Sequence, residues 1–405
     1  SHKTGLEIAA FDVNHDRTTA ILAGREILKT VRIDNDRCAE ETNLRAKLTQ
    51  VASHRDEVAG TRVGLPRNLP SHRANLNIHD VKWSHKDFDS CIATASTSGK
   101  IVLYDLNKHS LELARLHEHS RQVHKLAFSP FQGYGLLSAS QDGSVRFWDL
   151  RDLSRNQSTV YAGSSSSLLA CGSRYTYSTN QADGVRDVKW SPVDAVQFAF
   201  GTDSGTVQCW DLRFPVRPTV KITAHDKIVT CVDWHPGGQY LASGSADKTI
   251  RCWNIGPGPS QEEVPTESKN PNKRLKPSYS IRCPAPVAKI AWRTPAWSDI
   301  PIPSINVWQT THLAASYATR DLRTVHVWDF RRPHIPFRGF SPFDTAPTDL
   351  LWHSQHLLWL VSREGIFTQA DVALAPKCID RRPWAAIGVN PAGDSVAAVT
   401  SRPRK

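Results

Sequence analysis

Methionine is missing from all 405 residues, an omission that the sequence leaves unexplained. Long apolar runs are missing too, and the first residues do not follow the basic, apolar, small-residue order of a secretory leader. A soluble intracellular chain without membrane insertion is therefore expected. The eight cysteines are widely spaced, with no CxxC and no close Cys/His pair. That spacing fits buried, reduced thiols far better than a zinc site or a disulfide framework. The GxxxxGK[ST], GxGxxG, HExxH and GxSxG signatures are absent as well, and the 17 histidines are scattered, so neither an enzyme nor a cofactor is expected. Lys and Arg number 50 against 39 Asp and Glu, for a formal charge of +11. The excess is spread along the chain and concentrated in loops, so nucleic acid is not an expected partner. The basic run Asn272-Lys273-Arg274-Leu275-Lys276 resembles a nuclear signal, but such tracts are common in polar loops.

One repeat is plainly present. SASQDGSVRFWDLR (138–151), GTDSGTVQCWDLR (201–213), SGSADKTIRCWNI (243–255) and RDLRTVHVWDFRR (320–332) each lead from a polar turn into an alternating strand that ends in Trp-Asp or Trp-Asn. TSGKIVLYDL (97–106) is the same unit with Tyr in place of Trp. Upstream lie a second strand, such as LLSAS (136–140), and another that ends in an aromatic at Trp83, Phe128, Trp190, Trp234, Trp292 or Trp352. Four strands every 40–45 residues with a Trp-Asp ending are the mark of a WD-repeat β-propeller.

An all-β, seven-bladed WD-repeat propeller over residues 1–381 is expected, with a hairpin extension over 382–405. The blades are placed at about 1–44, 76–117, 118–162, 184–223, 224–283, 284–340 and 345–381. The first, built from LEIAAFDV, TTAILAG, ILKTVRI and CAEETNL, lacks the Trp-Asp ending. The last takes its fourth strand from near Lys377–Asp380. Arg45–Asn75, Ser154–Asp183, Gly256–Pro277 and Thr294–Val307 cannot bury enough apolar surface to fold alone and read as surface excursions.

Two sets of polar residues recur at matching offsets: His119, Ser138, Asp142 and Trp148 in blade three, and His225, Ser243, Asp247 and Trp253 in blade five. A buried indole can only donate, so it needs an acceptor, and a repeated network serves the repeat rather than catalysis. Blade two (Thr94, Ser98, Tyr104) and blade four (Phe200, Ser204) break the set and should depend more on apolar packing. Arg151, Arg213 and Arg331 each follow a Trp-Asp by the same interval. Their plain reading is a salt bridge or carbonyl contact at a strand end. The functional alternative is that this WDxR element resembles the docking element of substrate receptors for cullin-type ubiquitin ligases.

AGREILKTVRIDNDRCAEETNLR (23–45), NLNIHDVKWSHKDFDSCIATASTSGKIVLYDLNK (75–108), VHKLAFSPFQGYGLLSASQDGSVRFWDLR (123–151), GVRDVKWSP (184–192) and VHVWDFRRPHIPF (325–337) together resemble the amino-terminal propeller of the WD-repeat 24-type subunit of the SEA complex, a GATOR-type assembly on vacuoles and lysosomes. The resemblance implies a non-enzymatic scaffold that relays amino-acid availability to the TOR kinase. Its partners would be other propeller-solenoid subunits and nutrient-sensor proteins. It also implies a propeller fragment, since family members continue into a helical solenoid and a zinc-binding domain.

WAAIGVNPAGDSVAAVT (384–400) places Asn390-Pro391-Ala392-Gly393-Asp394 between two alternating apolar runs and reads as a β-hairpin surplus to the seven blades. Family members complete an open, six-bladed Seh-type nucleoporin-like propeller by donating a blade. The hairpin is expected to be such a blade, with Trp384, Ile387, Val389, Val396 and Ala398 meeting the partner, the alternative being that it packs across the rim of its own propeller.

Overall fold

The computed structural model describes the chain except residues 35–36, 51–75, 110, 156–171, 180–182, 257–274, 295–310, 320, 382–383, 390, 392–394 and 401–405. Most of the Pro/Glu/Lys-rich, Pro-rich, Ser-rich and basic excursions, Asn272–Arg274 of the basic run, Cys171 and most of the hairpin turn therefore lie outside the described residues.

Alternating β-branched and aromatic residues separated by polar turns form short antiparallel strands, and these assemble into seven four-stranded sheets. The innermost strands are Ala10–Val13, Ile78–Trp83, Val123–Phe128, Val185–Trp190, Val229–Trp234, Val287–Trp292 and Pro347–Trp352. The Trp-Asp and Trp-Asn endings close the third strands of blades three to six: Ser144–Asp149, Thr206–Asp211, Thr249–Asn254 and Val325–Asp329. The core is divided among the seams. Seven apolar clusters each join one blade to the next, from blades one and two (Ile21, Leu28, Val81, Ile92) round to blades seven and one (Trp359, Phe367, Phe11, Leu22). A side chain buried between two sheets stabilises both, by roughly 1.5–3 kcal/mol for a large apolar residue.

Turns with positive φ pack directly against the following blade. Gly205 has φ +82°, and a Cβ there would sit 2.2 Å from the His225 carbonyl oxygen; Gly365 has φ +78° and the same spacing from Leu6. Glycine is needed at both positions for backbone conformation and for approach.

Two strands differ from the sequence expectation. Residues 378–381 form a 3₁₀ turn, and the outer strand of blade seven is His2–Lys3, with His2 opposite Phe367 and Lys3 opposite Ile366. The start of the chain thus pairs with the last blade and closes the ring, which leaves no exposed terminal blade. Blade three does not end at 162. Its outer strand is Tyr175–Ser178, inside the stretch read as a Ser-rich excursion, with Tyr177 opposite Val145. Tyr177 is held there because its ring is buried against blade four, 4.8 Å from Phe198 and 5.4 Å from Trp210, and its hydroxyl donates to the Leu212 carbonyl at 2.7 Å.

Trp384–Val389 and Ser395–Thr400 pair only with each other, as a separate two-stranded ribbon. Val389 stands opposite Ser395 and Ile387 opposite Ala397, while Val396 and Ala398 face Gly388 and Ala386. Opposed antiparallel positions share a face, so Ile387 and Val389 fall on one face of the ribbon and Val396, Ala398 and Trp384 on the other.

Candidate functional site

The polar sets form continuous chains. In blade three the Trp148 indole donates to Ser138 Oγ at 2.9 Å, Ser138 lies 2.7 Å from His119 Nε2, and His119 Nδ1 lies 2.9 Å from Asp142. Blade five repeats this through Trp253, Ser243, His225 and Asp247 at 2.9, 2.8 and 2.9 Å. An indole can only donate and a carboxylate can only accept, so the protons run one way, from Trp through Ser and His to Asp, with Nδ1 protonated. Burial alone would raise Asp142 and Asp247, but hydrogen bonds from the histidine and from Ser144 or Thr249 outweigh it and hold both carboxyls below the usual range. The histidines and serines are buried, and only the Asp142 and Asp247 ends of the chains are partly exposed.

Other blades satisfy their tryptophans differently. Trp328 donates to the Tyr317 hydroxyl at 3.1 Å, which lies 2.9 Å from His326 Nδ1; Trp210 donates to Gln208 Oε1 at 3.1 Å. The expected Ser-His pair is absent from both blades, and that absence was the available signal for a substitute partner. Thr94 donates to the Val102 carbonyl within its own sheet, Ser98 lies 2.9 Å from Ser96 Oγ, and Ser204 donates to Asp183.

Arg151 and Arg213 turn back on their own repeats. Arg151 donates to both oxygens of Asp149 at 3.0 and 2.7 Å and lies 3.6 Å over the Tyr134 ring. Arg213 grips Asp211 at 3.0 and 2.6 Å. Arg331 donates only its backbone N–H to Asp329.

The inner strands build a feature that sequence reasoning missed. In blades two to seven the innermost strand bulges after its first residue, and a bulge re-aims a side chain. The bulged residues His79, His124, Arg186, Thr230, Ala288 and Thr348 all line a cavity of about 990 Å³ at one mouth of the central channel. One residue further along stand Asp80, Lys125, Asp187, Cys231, Lys289 and Asp349. Charges recurring at a fixed place in otherwise apolar strands, as in HDVKW, HKLAF and RDVKW, were the overlooked signal.

These charges bind the blades together. Lys125 donates to Asp80 at 2.6 Å and lies 3.8 Å from Asp349. Burial would raise Asp349, but Lys125 and Lys289 hold it at about 2. Asp80 accepts the Leu126 N–H at 2.8 Å, Asp187 that of Val232 at 3.0 Å, and Asp233 that of Trp292 at 2.7 Å, each from the next blade. In return the indoles of Trp190, Trp234, Trp292 and Trp352 donate to a carbonyl of the preceding blade. Burial, and then Lys125, push Lys289 down; burial, and then His124, lower His79 to about 4. Among the described residues no group of three or more His, Cys, Asp or Glu could hold a metal, and no helix is long and apolar enough to cross a membrane. Burial pushes the thiols of Cys91, Cys209, Cys231, Cys252 and Cys283 up to about 12, so they are poor nucleophiles.

Comparison with known proteins agrees with this architecture. The WD domain, G-beta repeat model matches residues 111–149 and 216–254. Among solved structures, a chain of the mitotic checkpoint complex crystal structure superimposes with a TM-score of 0.61 at 16% identity over 92% of this chain and 90% of its own. That match establishes the fold alone. The sequence match is more specific: GATOR2 complex protein WDR24 of Danio rerio is 30% identical over 86% of this chain, and that of Drosophila melanogaster 31% over 88%. This propeller is of the WDR24 type. The chain spans 36% and 37% of the length of those relatives. The WDR24-type match covers far more of the chain than the two generic repeats do.

Proposed function

We propose that the chain is a non-enzymatic scaffold subunit of a GATOR-type complex, and that Trp384–Thr400 is a blade donated to another propeller. The relatives are named as GATOR2 complex proteins. One observation carries the second part: every blade, including the seventh, already has four strands, and the hairpin pairs with none of them. A two-stranded ribbon is only marginally stable alone in water, and added strands gain backbone hydrogen bonds from an open sheet edge. In this reading the recipient is an open, Seh-type nucleoporin-like propeller, met by Trp384, Ile387, Val389, Val396 and Ala398. Other propeller-solenoid subunits and nutrient-sensor proteins bind elsewhere. The assembly relays amino-acid availability to the TOR kinase at the vacuolar or lysosomal surface. The cullin-adaptor alternative has less support, because the guanidinium groups of Arg151 and Arg213 are already engaged by Asp149 and Asp211.

Co-purification tests the proposal. The intact chain should retain a tagged Seh-type propeller, and deletion of residues 384–400 should abolish retention while the circular dichroism of the remaining propeller is unchanged. Undiminished retention after the deletion would sink it.

A further inference from the structure

The innermost strands place five charged side chains at one level of the channel, and four of them have partners. Asp80 is held by Lys125 and the Leu126 N–H. Asp187 accepts from the N–H groups of Val188 and Val232, both at 3.0 Å. Asp349 accepts from Leu350 at 3.1 Å and faces Lys125. Lys289, the fifth, makes no hydrogen bond and no ion pair within 4.0 Å among the described residues, although it feels the charges of Asp349, Asp187 and Asp80, and it lines the 990 Å³ cavity. Two more unsatisfied groups line the same cavity: the buried Oγ1 atoms of Thr319 and Thr345, neither with a hydrogen-bond partner. An ammonium brings three donors and no acceptor, and each hydroxyl brings one donor. All three are donors on the wall of one cavity, and an oxyanion, which only accepts and carries the charge opposite to the ammonium, is the complementary group.

We propose that this mouth of the channel binds a single oxyanion on Lys289, assisted by Thr319 and Thr345. Its source is either an acidic side chain inserted from a partner or free phosphate. Of the arginines that also line the cavity, Arg186 is engaged by Asp203 at 2.5 Å and Arg363 by Glu7 at 3.1 Å, which leaves Arg25 as the cation that competes with Lys289. The three carboxylates at the level of Lys289 repel further negative charge, so the site takes one anionic group and rejects a polyanion. This site does not depend on the scaffold reading.

Calorimetric titration of the 405-residue chain at constant ionic strength tests it, with inorganic phosphate in one arm and an N-acetylated, C-amidated tripeptide carrying one glutamate in the other. Saturable binding in either arm supports the site, and the arm that binds identifies the source. Lys289→Met should weaken that binding about tenfold or more and leave the circular dichroism unchanged. No saturable binding in either arm, or undiminished binding by the variant, overturns the proposal. Should Lys289→Met not fold, acetylation of the unmutated chain reads the same site by mass spectrometry. Either probe at saturation should slow modification of Lys289 but not of the exposed Lys100, and equal rates with and without the probes overturn the proposal.

Discussion

In blade five the Trp253 indole reaches Asp247 through Ser243 and His225. In blade four the equivalent Trp210 donates to Gln208 on its own strand, and Phe200 takes the place of Ser243, its ring 6.3 Å from that of Trp210 and nearly parallel to it. Phe198 and Tyr177 complete an aromatic cluster around Trp210, whereas the rings of blade five gather at Tyr240 and Tyr279, away from Trp253. Two adjacent sheets with the same strand order therefore hold the same tryptophan in different ways. A polar chain fixes one arrangement by direction and depends on proton occupancy. An aromatic cluster depends on volume and ignores pH.

Substitutions can break that contrast, and the aromatic side should give the larger effect. Phe200→Ala empties a fully buried ring position and should destabilise the protein by about 3–5 kcal/mol, read as a lower denaturant midpoint. Ser243→Ala removes little volume but leaves the Trp253 N–H and one His225 nitrogen unpaired, and should cost about 1–3 kcal/mol in the same measurement. If the two losses came out equal, or in reverse order, the division into volume and hydrogen bonding would be wrong.

Acid should separate the blades more finely. Asp142 and Asp247 are held below their ordinary value of 3.8 in the folded chain. Below that value the unfolded state binds more protons than the folded one, so stability rises with pH there. The contribution is fully present above about pH 4 and is lost as pH falls through the unfolded and then the folded value. Asp247→Asn should make the acid limb of a stability-against-pH curve shallower, and Gln208→Leu in blade four should leave its slope unchanged. Parallel acid limbs for Asp247→Asn and the unmutated chain would show that the blade-five carboxylate carries none of the dependence.

Blade number and the polar sets were legible because both repeat: an aromatic ends six of the innermost strands, and Ser, Asp and Trp recur at the same offsets. Tyr175–Ser178 was obscured because four strand residues followed a serine-rich tract, and what holds them is the pocket that blade four provides for Tyr177. The outer strand of blade seven was invisible to periodicity, since His2–Lys3 belongs to a repeat at the opposite end of the sequence. The channel charges were on view in five of the seven inner strands. They were passed over because each looks like an isolated polar residue until six strands are brought around one axis.

That closing strand carries a consequence for folding. Other seams join segments that are near neighbours in sequence, as when Trp190 bonds Ala127 across 63 residues, whereas Thr4 and Gly365 lie 361 apart. Contacts of such high order form late, because the entropy of closing the loop must be overcome before they contribute. The middle blades can assemble from local hairpins while the ring is still an open arc. Only two residue pairs, His2 with Phe367 and Lys3 with Ile366, then form the final strand joint. The last contact made by a ring is a natural place for its first partial opening, so amide exchange at Phe367 should proceed through a lower-energy opening than exchange in blades three to five.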